Sequence, residues 1–300
     1  MTKQDGTPGS TVDLSADEER DVEERSPPRA AVVFETVRRE GEIELERPAF
    51  SLALSGLAAG LSMGMSLVGE GLIQSMVPAA SWRPLLVSAG YSMGFVIVVL
   101  GRQQLFTENT VTAILPLLDS PNKFETFGRV ARLWAIVLVA NLVGAALFAF
   151  SIAKSSIFSP EVKRTFLEIG MHAAAPTFWD IVIRGVFAGW LIALMVWLLP
   201  GANQSRLSVV LLITYFVGLG SFAHIIAGSI EVLYVVASGG EPWSRYFANY
   251  LLPVFLGNAF GGVSLVALLN YGQVVAEGDG KKDPSPETSA SPAQRSKAQR

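Results

Sequence analysis

Long apolar runs organise this chain. A transmembrane helix needs about 20 consecutive, mostly apolar residues, and several stretches qualify. Phe50–Gly69 carries no charge, and neither does Leu133–Ala153. Thr177–Leu199 is interrupted by Asp180 and Arg184 alone, and Phe247–Tyr271 carries no charge. Two further regions fit no single regular helix. Pro84–Leu118 covers 35 residues, too many for one crossing and too few for two crossings plus a loop, and Leu207–Ala237 is a 31-residue apolar run. Counting each as one crossing predicts six spans and an all-α polytopic membrane protein.

Both over-long regions contain a break. In the first, GRQQLFTENT (residues 101–110) separates Pro84–Leu100 from Val111–Leu118. A continuous helix would carry Arg102, Gln103, Gln104, Glu108 and Asn109 past mid-span, where each charge costs about 2.5–3.5 kcal/mol. Irregular backbone at that depth survives only inside protein or against a wet cavity. The pattern therefore predicts a helix, a loop, and a short second helix starting near Thr107. In the second region Gly218, Gly220 and Ser221 weaken the helix just before His224. With Ser221 as N-cap, His224 falls at the third helical position, at the positive end of the half-helix; Thr107 could cap the first half-helix in the same way. Each break lies in the middle crossing of a three-helix set, residues 50–153 and 177–271. An odd number of crossings per set inverts the second relative to the first, and paired interruptions in inverted halves point to a substrate site near the midplane.

Small residues support a compact bundle. Gly56, Gly60 and Gly64 recur at four-residue spacing, and Asn141–Ala145, Gly185–Gly189 and Gly257–Gly261 offer similar faces for close helix approach. Lysine and arginine orient the chain. Arg29, Arg38, Arg39, Arg47, Lys123, Arg129, Arg132, Arg206, Lys281 and Lys282 fall on the side of the termini, against Arg83, Lys154, Lys163, Arg164 and Arg245 on the other. Both termini are expected to be cytoplasmic.

Composition narrows the possibilities further. Mean hydropathy is +0.41 and 16% of residues are charged, with much of that charge in residues 1–48 and 276–300. The net charge of −3, largely from the N-terminal tail, gives no sign of nucleic-acid binding. The chain has no cysteine, so disulfides and thiolate chemistry are excluded. The first residues have no apolar core of a secretory signal. Residues 1–46 read as an acidic, mostly disordered tail with a possible amphipathic helix at 30–46. A transport domain spans 47–272, and 273–300 read as disordered. No nucleophile–base pair, metal cluster or phosphate loop stands out, so neither an enzyme nor a cofactor is expected.

The residues at the breaks resemble the formate/nitrite transporter family. The similarity rests on Leu105-Phe106-Thr107, on Asn141-Leu-Val-Gly-Ala145, on Thr177-Phe178 with Asp180, on Phe222-x-His224, and on Leu252-Pro-Val254 with Gly257-Asn258 and Gly261-Gly262. The resemblance implies an aquaporin-like inverted repeat of three plus three helices, with the second and fifth interrupted. It also implies a bacterial inner-membrane homopentamer in the lipid bilayer with one pore per protomer, passing small monovalent weak-acid anions such as formate or nitrite. His224 corresponds to the family's central histidine and Thr107 to its gating threonine. Leu105, Phe106 and Phe222 are then expected at apolar constrictions and Asn109 at the pore. A histidine, whose charge changes near physiological pH, suits a site where a weak acid shares a proton.

Several positions depart from the family pattern. The usual lysine before Thr177-Phe178 is missing from MHAAAP (residues 171–176). Ala223 stands for an acid, Gly228 for an asparagine and Gln104 for a glutamate. New charges occur at Arg102, Glu108, Arg184 and Glu231. Asp180 and Arg184, four apart, read as an intrahelical ion pair. For Arg102 the candidate roles are pairing with Glu108, pairing with Glu231, or replacing the lysine as an anion lure. Glu70 reads as interfacial. Besides a weak-acid anion channel, a neutral-solute or water pore and a non-transporting membrane scaffold are the alternatives.

Overall fold

A computed structural model describes residue 12, residues 14–26 and residues 28–279, and these contain helices and connecting turns only. Two helices precede the bundle, α1 (Ala16–Arg25) and α2 (Ala30–Glu46). The bundle then runs α3 (Ala49–Met76), α4 (Arg83–Leu100), the short α5 (Phe106–Thr112) and α6 (Ile114–Asp119), and α7 (Lys123–Lys154). After α8 (Pro160–Ala174) come α9 (Phe178–Leu198), α10 (Arg206–Leu219) and α11 (Ala227–Ala237). The last helix, α12 (Trp243–Ala276), contains two π-helical stretches, Tyr246–Leu251 and Val263–Leu268, and helical structure continues to Asp279. Five helices, α3, α4, α7, α9 and α12, are long and apolar enough to cross a membrane. The fifth expected crossing is divided between α10 and α11, neither of which reaches that length.

Packing repeats itself between the halves. Helix α3 lies against α7 and α4, and α9 against α12 and α10. The small-residue faces explain the closeness. A Cβ on Gly60 would collide with the backbone carbonyl of Asn141, and one on Gly189 with that of Asn258. Apolar side chains dominate the buried interior, as expected where lipid tails give helices no hydrophobic reason to associate and fit must hold them.

Three elements differ from the sequence expectation. Residues 160–174, which fall between the crossings predicted at Leu133–Ala153 and Thr177–Leu199, form α8: Ser159 accepts a hydrogen bond from Val162 N–H at 3.4 Å, Pro160 occupies the first turn, and Thr165, Phe166 and Gly170 are buried. Residues 16–25 are helical within the acidic tail, and the last helix passes the expected boundary at 272. The expected tail from 280 onward lies outside the described residues.

Helix α2 docks on the bundle through Val33, Phe34, Val37 and Leu45, an apolar stripe with helical spacing. Its polar side is organised by Arg38, whose side chain is 16% exposed and which pairs with Glu35 at 2.8 Å, Glu42 at 2.6 Å and Asp119 of α6 at 3.7 Å. Hydrogen bonds from Arg38 and Arg39 hold the Glu35 carboxyl at about 2, below its ordinary value. A folded-state value below the unfolded one gives stability that is complete above the ordinary carboxylate range and is lost as pH falls toward 2. The site is wet, so the contribution is modest. Hydrogen exchange of α2 amides, corrected for intrinsic rates, is expected to stay constant from neutral pH down to about 4.5 and to accelerate between there and 2. Arg38→Ala, which leaves Arg39 on Glu35, is expected to weaken that transition.

Candidate functional site

The two breaks are built alike. Helices α4 and α10 each end with a residue in the left-handed region, Arg102 (φ 51°) and Ser221 (φ 49°), although neither is glycine. Gln103 N–H bonds Val98 O at 3.0 Å and Arg102 N–H bonds Val99 O at 3.2 Å; Phe222 to Val217 and Ser221 to Gly218 repeat the pattern at 3.0 Å each. These are Schellman closures, normally made by glycine, and each left-handed residue costs about 1 kcal/mol. Ser221 follows Arg102 by 119 positions, and the same offset relates Leu105 to His224 and Thr112 to Glu231.

Asparagine holds each loop. Asn141 Oδ1 accepts from Phe106 N–H at 2.9 Å, while its Nδ2 donates to Gly56 O at 2.8 Å and Gln104 O at 2.9 Å. Asn258 Oδ1 accepts from Ile225 N–H at 2.9 Å, and its Nδ2 donates to Gly185 O at 2.9 Å and Ala223 O at 2.8 Å. Both side chains are fully buried. Each one satisfies an N–H and a carbonyl of the broken loop that no helix pairs, and ties them to a carbonyl of the neighbouring helix.

His224 and Thr107 meet where the loops converge. Their side chains, 1% and 0% exposed, are joined by a 2.8 Å contact between Nε2 and Oγ1. His224 Nδ1 accepts from Ile226 N–H at 3.3 Å and Ala227 N–H at 3.2 Å, so the histidine itself caps α11. Those bonds occupy the Nδ1 lone pair and put the neutral ring's proton on Nε2, which donates to Thr107. Phe95 packs edge-on to the imidazole at 4.9 Å. The Ser221 cap expected for this half-helix is thus replaced: Ser221 closes α10 and His224 caps α11. Thr107 is likewise not a cap, since Leu105 occupies that position before α5.

Two cavities lie near the pair, one lined by the residues that follow Thr107 on α5 and the other by His224 itself. One, of about 450 Å³ on the α2 side, is lined by Arg102, Gln104, Glu108, Asn109 and Thr112 together with Glu40 and Arg206. The other, of about 90 Å³ on the α8 side, is lined by Ser221, Phe222, His224, Glu231, Glu70 and Arg184, among others. Asn109 is anchored by Gln104 at 3.1 Å and Thr112 at 3.2 Å. Phe222 stacks on Phe187 at 5.1 Å. Leu105 and Phe106 are fully buried, and the Phe106 ring is packed against Trp134 and Phe255 rather than lining either cavity.

The charged residues sit otherwise than expected. Arg102 pairs with Glu40 of α2 at 2.5 Å, not with Glu108 or Glu231. Glu231 lies in the opposite cavity, because α11 runs from His224 toward α8. The same geometry keeps Arg102 away from the α8–α9 connection where the lysine is missing; the basic groups at the cavity there are Arg184 and His172. Asp180 turns back to Thr177, accepting from its hydroxyl at 2.7 Å and its N–H at 3.3 Å in a capping box, and this replaces the ion pair expected with Arg184. Glu70, expected near the interface, is buried within the bundle at the α8-side cavity.

The profile of the formate/nitrite transporter family matches residues 31–272. The chain belongs to this family. Inner membrane protein YfdC of Escherichia coli (strain K12) is 40% identical over 252 residues, 84% of this chain and 81% of that one. A probable formate transporter of Methanothermobacter thermautotrophicus is 29% identical over 239 residues, 73% and 83% of the two chains. The fold is shared with a pentameric formate channel solved with formate bound, with TM-score 0.66, 21% identity, and coverage of 76% of this chain and 98% of that one. Membership of a family of transporters agrees with the expectation of a membrane transport protein and not an enzyme. At one departure from the family pattern, Gly228, a side chain would strike the Tyr250 hydroxyl. That hydroxyl donates to His224 O at 3.4 Å.

Sequence reading missed the asparagine latches, Phe95 and the Glu70 position. The latches had a signal: Asn141 and Asn258 stand in two like small-residue segments, one per half. Asn141→Ala and Asn258→Ala each orphan two buried loop groups and are expected to destabilise the fold by about 2–3 kcal/mol. A clear drop in thermal midpoint in detergent is the readout, and Asn141→Asp, which keeps only the acceptor, is expected to fall nearly as far.

Proposed function

We propose that this chain is a channel or transporter for a small monovalent weak-acid anion of the formate or nitrite kind, and that a proton accompanies the anion past His224. One observation carries the reading: the buried His224–Thr107 hydrogen bond lies at the junction of two broken helices, with His224 lining the α8-side cavity and Glu108 and Asn109, next to Thr107 on α5, lining the α2-side one. The Thr107 hydroxyl has no other hydrogen bond among the described residues. When the pair parts, Thr107 Oγ1–H and His224 Nε2–H both become donors to a passing oxygen. A bare anion is costly in such an apolar passage, and a proton on it removes most of that cost. The occupied Nδ1 keeps the imidazole neutral and oriented, so it serves as a fixed donor.

The remaining features complete the picture. The α10–α11 pair makes the sixth crossing, residues 47–272 form the transport domain as two inverted three-helix halves, and five protomers assemble with one path each. Both termini face the cytoplasm of the bacterial inner membrane, so the α2-side cavity is the inner vestibule and the α8-side cavity the outer one. Within the path, His224, Thr107, Asn109 and Phe222 contact substrate, while Leu105 and Phe106 form the apolar wall behind them. Supporting this are the relatives' names, the lysine and arginine distribution and the paired loop geometry.

The test is flux in proteoliposomes with formate, nitrite, acetate and glycerol over a pH series. Weak-acid uptake is expected to rise on acidification and to fall at least tenfold in His224→Ala, with Thr107→Val reducing it less. Glycerol or water passing while all three acids are excluded selects the neutral-solute pore instead. No flux of any solute selects the scaffold.

A further inference from the structure

The α8-side cavity holds an unusual pair for an anion pathway. Glu70 of α3 and Glu231 of α11 are 9% and 8% exposed and line the same small cavity. Glu70 Oε2 is buried without a hydrogen-bond partner. The other polar groups around the cavity are Tyr91 of α4, His172 of α8, Arg184 of α9, Ser221, His224, and Tyr250 of α12, and Glu70 also borders an adjoining cavity with Arg83 of α4 and Glu168 of α8. Arg184 is the strong cation, and its helical neighbour Asp180 is already engaged by Thr177. His224 has both ring nitrogens bonded, so it is poorly placed to supply a proton.

We infer that Glu70 and Glu231 form a carboxyl pair that hands a proton to a weak-acid anion drawn in by Arg184. This rests on the weak-acid reading above and assigns its proton donor. Two ionised carboxylates cannot share a dry site cheaply, and a proton between them relieves both the desolvation and the repulsion. When the anion enters, the O–H bond on the pair breaks and an O–H bond forms on the substrate oxygen. The substrate moves on toward His224 as a neutral acid. The pair is left with two carboxylates beside Arg184, which no longer has an anion to hold, and a proton from α8-side water restores the starting state. Atoms and charge balance without any further reactant.

Two measurements on the full-length protein in lipid test this, with sodium formate as probe. Infrared difference spectra are expected to show a protonated-carboxyl C=O band at neutral pH that weakens when formate is added and is absent from E70Q/E231Q. Formate uptake by proteoliposomes at neutral pH is expected to fall at least tenfold in E70Q and in E231Q, to recover partly in E70D, and to lose its rise on acidification in the double variant. Each variant is compared with wild type for oligomer size in detergent, and the band is read only from variants that match. A band unchanged in the double variant, a wild-type pH profile in it, or faster anion uptake in either glutamine variant overturns the inference. Wild-type protein whose band responds to formate but which moves none overturns the transport reading alone. Formate transport with no responding band overturns the carboxyl pair alone.

Discussion

A helix broken in the middle of a membrane must satisfy its loose backbone groups without water. Asn141 and Asn258 do this from neighbouring helices, each serving one N–H and one carbonyl of a broken loop. The rest of the centre depends on that. Fixing Phe106 N–H sets the start of α5 and so the position of Thr107, and fixing Ile225 N–H sets the turn that His224 caps. The latches in turn require close helices, which is why Gly60 and Gly189 sit against the asparagine backbones.

The centre so fixed is chemically plain: one hydroxyl, one neutral imidazole and an aromatic edge. Charge stands on either side of it. On the α2 side Arg102 is held by Glu40, which ties the first loop to the docked helix. On the α8 side two carboxyls and an arginine share a small cavity. Lysine, which the family pattern places before the fourth long helix, has no direct substitute there; Arg184 reaches the same cavity from within that helix.

Much of the frame was legible in the sequence because membrane crossings are read by length and apolarity, and breaks by polar residues where lipid forbids them. The segment GRQQLFTENT announced its loop by misplaced charge, and Thr107 and His224 were singled out by their place beside the breaks. What was not legible depended on three-dimensional partners. Arg102 finds Glu40, 62 residues away, and no spacing rule links them. Asp180 had two plausible partners, and the capping geometry with Thr177 prevailed over the charge four residues on. Glu70 looked interfacial because its position near a helix end is visible in sequence while the α11 segment that covers it is not. The helix α8 was legible in principle, from Ser159-Pro160 and the buried face that follows, but its polar residues blended into the loop.

The matched offsets at Arg102 and Ser221, Leu105 and His224, and Thr112 and Glu231 have a further consequence. The two breaks share one backbone shape, with the same helix closure and the same asparagine latch. The chemistry that separates them therefore resides in side chains at equivalent stations, leucine at one break and histidine at the other, threonine at one and glutamate at the other. Difference between the breaks is written on a common backbone, so residues could be exchanged between stations while the loops keep their form.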